Sequence, residues 1–174
     1  MAEELYYAIF NTPAGWVGVL GSTAGLRRVT LPRRSPEEVF PRLGVSPDEA
    51  ALSPHRFQGL VERFRAYFAG RKVAFPDRLD LSAATAFQRR VWEATRLIPY
   101  GETRSYTWVA EQIGKPKARR AVGQALGKNP LPVMIPCHRV AASGGLGGFG
   151  GGLEMKRFLL HLESRGSWLV EGSP

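Results

Sequence analysis

Residues 105–127 contain the feature that most constrains the fold of this chain, two short helical patterns joined by a tight turn. Apolar residues recur at helical spacing over 105–114 and again over 118–126, and Gly127 closes the second run. Two short helices joined by a glycine-containing turn are typical of a helix-turn-helix, although many other helix pairs share this pattern. The sequence therefore predicts two short helices packed against each other.

The second helix of this pair has two faces of different character. Arg120, Gly123 and Gln124 share one face at helical spacing. Small or apolar residues, which we expect to pack inward, occupy five other positions of this helix: Ala118, Ala121, Val122, Ala125 and Leu126. A glycine within a helix costs about 1 kcal/mol relative to alanine, and one use of such a position is the close approach of a nucleic-acid strand. The alternative interpretation is that Arg120 is an ordinary surface arginine.

The basic side chains are unevenly distributed along the chain. The formal net charge is +9, and residues 83–174 carry 13 basic and 6 acidic side chains, against 11 and 9 in residues 1–82. No acid occurs between Glu111 and Glu154. This distribution indicates a polyanionic partner, whereas the alternative is a solvated basic face without a specific ligand.

The N-terminal half is predicted to contain a small sheet and one long helix. Residues 5–31 alternate β-prone segments with glycine-containing turns, which is typical of an antiparallel meander. A helix is expected to begin at Ser53-Pro54, with serine as the N-cap and proline at the first position, and to end at Gly70. A domain boundary is predicted near Ser82.

The C-terminal half is predicted to be mostly helical. It opens with a capping box of Thr85 and Gln88, followed by an apolar stripe that reaches Leu97. The last helix has a predicted buried stripe of Met155, Phe158, Leu159 and Leu162. The predicted fold class is therefore α/β: a small N-terminal domain with an antiparallel sheet and a helix (1–82), and a mostly helical C-terminal domain with the helix-turn-helix (83–174).

The stretch 131–140 carries the candidate chemistry. Three apolar residues precede Pro136, and Cys137, the only cysteine, is followed directly by His138. This pattern predicts a buried strand that ends in a turn and presents a thiol, although a lone cysteine is more often an inert core residue. One cysteine excludes an intramolecular disulfide. No apolar run has membrane-spanning length and the N-terminus lacks a targeting pattern, so we expect a cytoplasmic protein without a membrane partner.

The motif Pro-Cys-His-Arg-Val at 136–140 resembles the active-site motif of the O6-alkylguanine-DNA alkyltransferases, the methylated-DNA–protein-cysteine methyltransferases. Gly-Lys-Asn-Pro upstream and the glycine-rich segment 144–152 downstream extend the resemblance, which covers most of the chain. It implies that double-stranded DNA containing O6-alkylguanine is the partner, with O4-methylthymine as a further candidate lesion, and that the alkyl group is transferred irreversibly to Cys137. We expect a monomer with no cofactor. Some relatives bind a structural zinc near the N-terminus, but this chain lacks the cysteines for it, so no metal is predicted.

The resemblance also implies a role for individual catalytic residues. Cys137 is the acceptor, His138 activates it through a water molecule, and Glu163 orients the histidine. Asn129 braces the backbone near the thiol. Tyr106 helps to rotate the nucleotide out of the duplex and contacts the guanine. On the residues alone, Glu163 is simply an acid near the end of a helix, which is the less favourable end for a negative charge.

Further residues are implied in DNA binding and in the alkyl pocket. In the family the second helix enters the minor groove, and an arginine in an Arg-Ala-Val-Gly context, here Arg120, fills the space left by the extruded nucleotide. The other implied DNA contacts are Gly123, Gln124, Lys115, Lys117 and Lys128. The implied pocket residues are Met134, Val140, Phe149 and Gly150. The loop 144–152 is slightly shorter than is usual in the family, and Phe149 stands where an aromatic residue with a hydroxyl is common.

Three other functions remain to be distinguished from alkyl transfer. A lesion-binding protein of the alkyltransferase-like kind keeps the helix-turn-helix but lacks the cysteine, which is present here. A transcription regulator explains the charge and Arg120, but not the Cys-His pair followed by Glu163. A thiol hydrolase explains Cys137, but cysteine proteases take their histidine from a distant part of the sequence.

Overall fold

The computed structural model describes residues 3–142 and 144–172 of the chain. The chain divides into two compact units, Met1–Ser82 and Ala83–Pro174. Each unit has its own core and is described separately below. No helix in the described ranges is long and apolar enough to cross a membrane.

A four-stranded sheet forms the centre of the N-terminal unit. Strands β1 (Leu5–Thr12), β2 (Gly15–Ser22) and β3 (Gly25–Val29) form the predicted antiparallel meander, in the spatial order β3-β2-β1-β4. The fourth strand, β4 (Ala50–Leu52), pairs with β1 in parallel and was not predicted. A three-residue strand is too short to produce a recognisable alternation in the sequence. Because β4 pairs in parallel, the sheet is mixed at this edge.

Two helices cover the sheet of this unit. Helix α1 (Pro36–Val39) approaches β2 so closely that a Cβ at Gly18 would lie 2.5 Å from Val39 Cγ1, which makes glycine necessary there. Helix α2 (Gln58–Phe68) buries one face. The predicted start at Ser53 was wrong in detail, because Pro54–Phe57 is a 3-10 helix and the Ser53 side chain makes no capping hydrogen bond.

An aromatic cluster fills the space between α2 and β1. Phe64 and Tyr67 are fully buried, and Phe64 lies 4.8 Å from Phe75 and 6.1 Å from Phe10, centroid to centroid. Aromatic side chains bury large apolar areas, so this cluster contributes a major share of the unit's hydrophobic stabilisation.

Three helices form the core of the C-terminal unit: α3 (Ala86–Thr95), α4 (Tyr106–Gln112) and α5 (Arg119–Gly127). The predicted capping box is confirmed, since Thr85 Oγ1 accepts from Gln88 N at 3.1 Å and Gln88 Oε1 accepts from Thr85 N at 3.0 Å. The Trp92 indole N–H donates to Ala125 O at 2.9 Å and ties α3 to α5.

Two predicted core positions between residues 86 and 127 were wrong. Leu97 is 66% exposed because α3 ends at Thr95, and Ile98 in the following turn is buried instead. Ala121 is exposed on α5. For Leu97, the helical periodicity of the sequence continues past the end of α3. For Ala121, the side chain is small enough to be tolerated on either the buried or the exposed face of a helix.

The segment 131–136, predicted as a buried strand, is buried but is a turn. Ile135 N donates to Leu131 O at 2.8 Å, and Val133 has a φ of 74°, a left-handed conformation that is rare for a β-branched residue. Prolines at 132 and 136 remove two backbone N–H groups, so a regular ladder is disfavoured.

The end of the turn is fixed by a short strand pair and the last helix. A 3-10 helix, Cys137–Arg139, leads into β6 (Val140–Ala141), which pairs in parallel with β5 (Arg104–Ser105) directly before α4. This pairing connects the reactive segment to the start of the helix-turn-helix. Helix α6 (Leu153–Gly172) completes the unit.

Candidate active site

Cys137 lies at the start of the 3-10 helix and is held by the segment before it. Its backbone N donates to Ile135 O at 2.7 Å. Asn129 Nδ2 lies 3.1 Å from Cys137 Sγ and donates to Ile135 O at 2.8 Å, while Asn129 Oδ1 accepts from Leu131 N at 2.8 Å. A single amide side chain therefore braces both the backbone of the turn and the sulfur.

The thiol faces a cavity of about 150 Å³ in the C-terminal unit. An engineered protein cavity of about this volume binds benzene, so the space admits one aromatic ring. The lining residues come from α4, α5, the 3-10 helix and the glycine-rich loop: Tyr106, Gly123, Leu126, Gly127, Cys137, Gly148, Phe149 and Gly150. Five of the predicted site residues therefore meet around one space. Leu126, Gly127 and Gly148 had no sequence signal that distinguished them from helix or loop residues.

Tyr106 forms one wall of this cavity and contacts the glycine-rich loop. Its hydroxyl donates to Gly148 O at 3.4 Å. A Cβ at Gly147 would lie 2.9 Å from that hydroxyl, and Gly147 has a φ of 74°, so glycine is required there. At Gly123 a Cβ would meet the Tyr106 ring at 3.7 Å, an ordinary contact. The protein's own packing therefore does not require glycine at 123.

Two predicted pocket residues are not brought into this cavity. Met134 and Val140 are both buried, yet neither belongs to the lining. Val140 pairs with Arg104 in the short β5–β6 ladder and supplies a backbone carbonyl to Lys156. These two residues therefore belong to the buried core of the unit and do not line the cavity.

His138 points away from solvent and pairs with Glu163. His138 Nε2 and Glu163 Oε2 lie 2.6 Å apart, and both side chains are essentially inaccessible. Consecutive residues of a 3-10 helix project about a third of a turn apart, which explains how Cys137 reaches the cavity while His138 reaches α6. His138 Nδ1 is buried and has no hydrogen-bond partner among the described residues.

Glu163 accepts hydrogen bonds from two other segments of the chain, the 3-10 helix and the turn at Gly101. Besides His138, it accepts from Arg139 Nε at 2.8 Å, from Arg139 Nη2 at 3.0 Å and from Gly101 N at 3.2 Å. Burial alone would raise its pKa, but the hydrogen bonds from His138 and Arg139 outweigh burial and lower the pKa to about 2.

The protonation state of His138 follows from this ionised carboxylate. Burial lowers the pKa of His138, so the ring is neutral near pH 7. Because the carboxylate of Glu163 is an acceptor only, Nε2 must carry the ring proton. The lone pair then lies on Nδ1, the atom that lacks a protein partner. The site therefore contains a buried base whose basic atom is free to take a proton.

Arg139 and Lys156 are functional-site residues that the sequence analysis missed. Arg139 lies in the acid-free stretch between Glu111 and Glu154, which indicated a polyanionic partner. Its side chain is instead buried, where it pairs with Glu163 and donates to Ile98 O at 2.9 Å. Lys156 is fully buried on α6, where Nζ donates to Val140 O at 2.6 Å, to Gly148 O at 3.1 Å and to Leu146 O. It thereby holds the glycine-rich loop against the helix. A lysine in a helix gives no sequence signal for burial.

Opposing effects act on the pKa of the Cys137 thiol, and the rise caused by burial is the largest of them. Burial raises the pKa of Cys137, while the Asn129 hydrogen bond and the positive charge of Lys156 lower it and offset part of that rise. Burial has the opposite effect on Lys156 and lowers its pKa, because burial disfavours the charged ammonium group. The resting sulfur is therefore a protonated thiol near neutral pH, and it must lose its proton before acting as a nucleophile.

The predicted DNA-binding side chains lie on the surface of the same unit. Arg120, Gln124, Lys117 and Lys128 are exposed, and Gly123 faces the cavity. Lys115 is also exposed, with Nζ 5.7 Å from the centroid of the Phe87 ring. In residues 3–142 and 144–172, no group of three or more His, Cys, Asp or Glu side chains is arranged to hold a metal ion.

The fold and this site define a mixed α/β protein in which a helix-turn-helix borders a buried thiol. Residues 86–165 match the family model of the 6-O-methylguanine DNA methyltransferase, DNA binding domain. A methylated-DNA–protein-cysteine methyltransferase of Mycolicibacterium paratuberculosis is 57% identical over 116 residues, which cover 66% of this chain and 70% of that protein. One of Methanosarcina acetivorans is 41% identical over 160 residues, covering 91% and 98%.

A solved structure of a family member is also similar to this chain. The crystal structure of Mycobacterium tuberculosis OGT in complex with DNA superimposes with a TM-score of 0.77 and 41% sequence identity, covering 91% of this chain and 92% of that one. The chain belongs to the methylated-DNA–protein-cysteine methyltransferase family, and the family predicted from its motifs is confirmed.

Proposed function

We propose that this protein repairs DNA by transferring the alkyl group of O6-alkylguanine to Cys137. The observation that carries this proposal is the position of the only cysteine, which lines a cavity for one aromatic ring next to a buried histidine with a free basic nitrogen. The names of its relatives support methyl transfer from methylated DNA to a protein cysteine.

Transfer requires the damaged nucleotide to leave the duplex. The O6-alkyl group of a stacked guanine cannot be approached in line by a sulfur atom, so the base must rotate into the cavity. We assign Tyr106, in the cavity wall, to contact with the rotated base. Arg120, exposed on α5, would occupy the gap left in the stack. The exposed lysines at 115, 117 and 128 would contact phosphates.

The thiol is activated by His138 and Glu163. The proton of Cys137 Sγ passes through a water molecule to His138 Nδ1, and the imidazolium that forms is stabilised by the ionised Glu163. The thiolate then attacks the alkyl carbon, so that the S–C bond forms as the C–O6 bond breaks. The electron pair remains on the guanine, which recovers a proton from the imidazolium.

The product explains why each molecule would act once. A thioether sulfur is a poor leaving group towards water, so the alkylated cysteine is not regenerated by hydrolysis. The reaction is stoichiometric, with one lesion repaired per chain. O4-methylthymine, which also carries an O-methyl group on a planar base, is a second candidate substrate for the same chemistry.

The test is reaction with a duplex that contains one O6-methylguanine, followed by mass spectrometry of the peptide that contains Cys137. We expect one methyl group per chain, located on the sulfur, and no further turnover. The variant Cys137→Ala should still bind the duplex but transfer nothing. Methyl transfer by this variant, or repair of many lesions per chain, would contradict the proposal and favour a different acceptor or a hydrolase.

A further inference from the structure

A second cavity, of about 330 Å³, lies within the N-terminal unit. Pockets of roughly 300–1,000 Å³ are the usual size for small-molecule ligands. Its wall comes from β1, the β2–β3 turn, the start of α2 and the segment before residue 80. The lining side chains that bear on binding are Tyr6, Arg56, Phe57, Arg63, Asp77 and Arg78.

One wall of this cavity is a flat, positively charged platform. The guanidinium carbon of Arg56 lies 3.6 Å from the centroid of the Tyr6 ring, and the adjacent Phe57, which also lines the cavity, is buried. A guanidinium stacked on an aromatic ring keeps its N–H groups in the plane and offers its other face to a second planar group. The platform therefore suits an aromatic ring system.

The rim of the cavity carries excess positive charge. Arg63 is paired with Asp77, and Glu4 accepts from the Tyr6 hydroxyl. Arg56 and Arg78 are exposed, and neither forms an ion pair within the described part of the chain. Two guanidinium groups are thus available to an anion.

The position of Arg78 is fixed by the sheet. Leu26 N donates to Arg78 O at 2.9 Å, and Asp80 N donates to Leu26 O at 2.7 Å, so this segment continues the edge of β3. Asp80 is held further by Arg27 Nε at 2.8 Å and by the Ser22 hydroxyl at 2.7 Å. The rim is therefore preorganised, which reduces the entropy cost of binding.

We propose that this cavity binds a nucleoside monophosphate group, with the base stacked on the Arg56–Tyr6 platform and the phosphomonoester at Arg78. This chemistry has two sources, a free nucleotide or the 5′-phosphorylated end of a DNA strand. The site is separate in residues and in chemistry from the reaction at Cys137, so it stands independently of the proposed function.

Titration of the full-length protein with dAMP, followed by calorimetry and by the amide signals of Thr23 and Gly25, tests the proposal. Arg56→Gln and Arg78→Gln should each weaken binding about tenfold, as expected for loss of one charge-assisted contact. Arg71→Gln, an exposed arginine of the same unit outside the lining, is the matched control and should leave affinity within about twofold. Inorganic phosphate and deoxyadenosine should each bind more weakly than dAMP.

Competition by short single strands identifies the source of the nucleotide. Displacement of dAMP only by a 5′-phosphorylated strand would assign the cavity to a DNA end, and displacement by no strand would assign it to a free nucleotide. The proposal is overturned if dAMP shows no saturable binding, if Arg71→Gln weakens it as much as the lining variants, or if 5′-hydroxyl strands compete equally well.

Discussion

Glu163 is a buried carboxylate that its donors keep ionised. Its pKa falls from an ordinary value of 4.5 to about 2, because the hydrogen bonds from His138 and Arg139 outweigh the burial that would raise it. The folded protein thus binds this proton more weakly than the unfolded chain does. The interaction stabilises the fold fully above about pH 4.5, and that stability is lost as the pH falls towards 2.

Glu163→Gln should remove this acid sensitivity and destabilise the protein near neutral pH. Loss of one partner from a buried ion pair costs about 3 kcal/mol or more, and urea unfolding at pH 7 and pH 3 would measure it. The difference between wild type and variant should shrink at the lower pH. Glu154→Gln, which changes an exposed acid of the same helix, is the control. Parallel pH–stability curves for wild type and Glu163→Gln would contradict this account.

Lys156→Met should make the thiol less reactive. The substitution keeps an apolar stem in the buried position. It removes the positive charge that lowers the pKa of Cys137, and it removes the donor to one carbonyl of β6 and two carbonyls of the glycine-rich loop. A rise of one pKa unit reduces the thiolate fraction about tenfold below the pKa. Rates of iodoacetamide labelling against pH would reveal the shift. Arg157→Gln, at the exposed neighbouring position, should leave the profile unchanged.

On helix α5, Arg120 and Arg119 provide a matched pair for testing nucleotide extrusion. Base unstacking costs a few kcal/mol, so Arg120→Ala should sharply reduce repair of duplex O6-methylguanine. Its reaction with free O6-benzylguanine, which needs no extrusion, should change little. Arg119→Ala, at an exposed position on the same helix, should repair the duplex nearly normally. If Arg120→Ala slows both substrates equally, Arg120 instead supports the fold or the thiol.

The helices that the sequence predicted correctly begin at positions set by local hydrogen bonds. A capping box and helical periodicity are sufficient to locate α3. Helix α4 has Ser105 as its N-cap, and the Ser105 hydroxyl accepts from Trp108 N at 2.9 Å. The turn at 131–136 was misjudged because its left-handed Val133 depends on neighbours that a local pattern does not contain.

Helix α6 shows a different limit of sequence analysis. An apolar stripe was predicted to include Phe158, which is exposed, whereas the buried face runs through Lys156, Leu159 and Glu163 at helical spacing. Charged residues are buried only when distant segments supply their partners. The partners of Glu163 come from residues 101, 138 and 139, so no helical pattern could identify that face.

For the molecule as a whole, the formal net charge includes cations that the surface does not offer to a polyanion. Arg139 and Lys156 are consumed by internal hydrogen bonds, while the lysines at 115, 117 and 128 remain exposed in the same unit. The motif around Cys137 therefore identified the chemistry more directly than the charge did. Charge indicated the kind of partner, and only the folded structure separates internal cations from surface ones.

Lys128→Gln should weaken binding to damaged and undamaged duplexes alike. Each phosphate contact contributes counterion release, so its loss should flatten the plot of log K against log salt by roughly 0.9. Fluorescence anisotropy over a salt series would measure the slope. Lys72→Gln, which removes an exposed lysine of the N-terminal unit, is the control and should leave the slope unaltered. An unchanged slope for Lys128→Gln would exclude a phosphate contact there.

The dependence of His138 on Glu163 has a consequence for the order of events during synthesis. A ribosome adds Cys137 and His138 before it adds the helix that carries Lys156 and Glu163. Until that helix has emerged and folded, the nascent chain carries a thiol without an oriented base and a glycine-rich loop without its anchor. In the reaction proposed above, which uses each cysteine once, Cys137 therefore gains its oriented base and its anchored loop only when the last helix has folded.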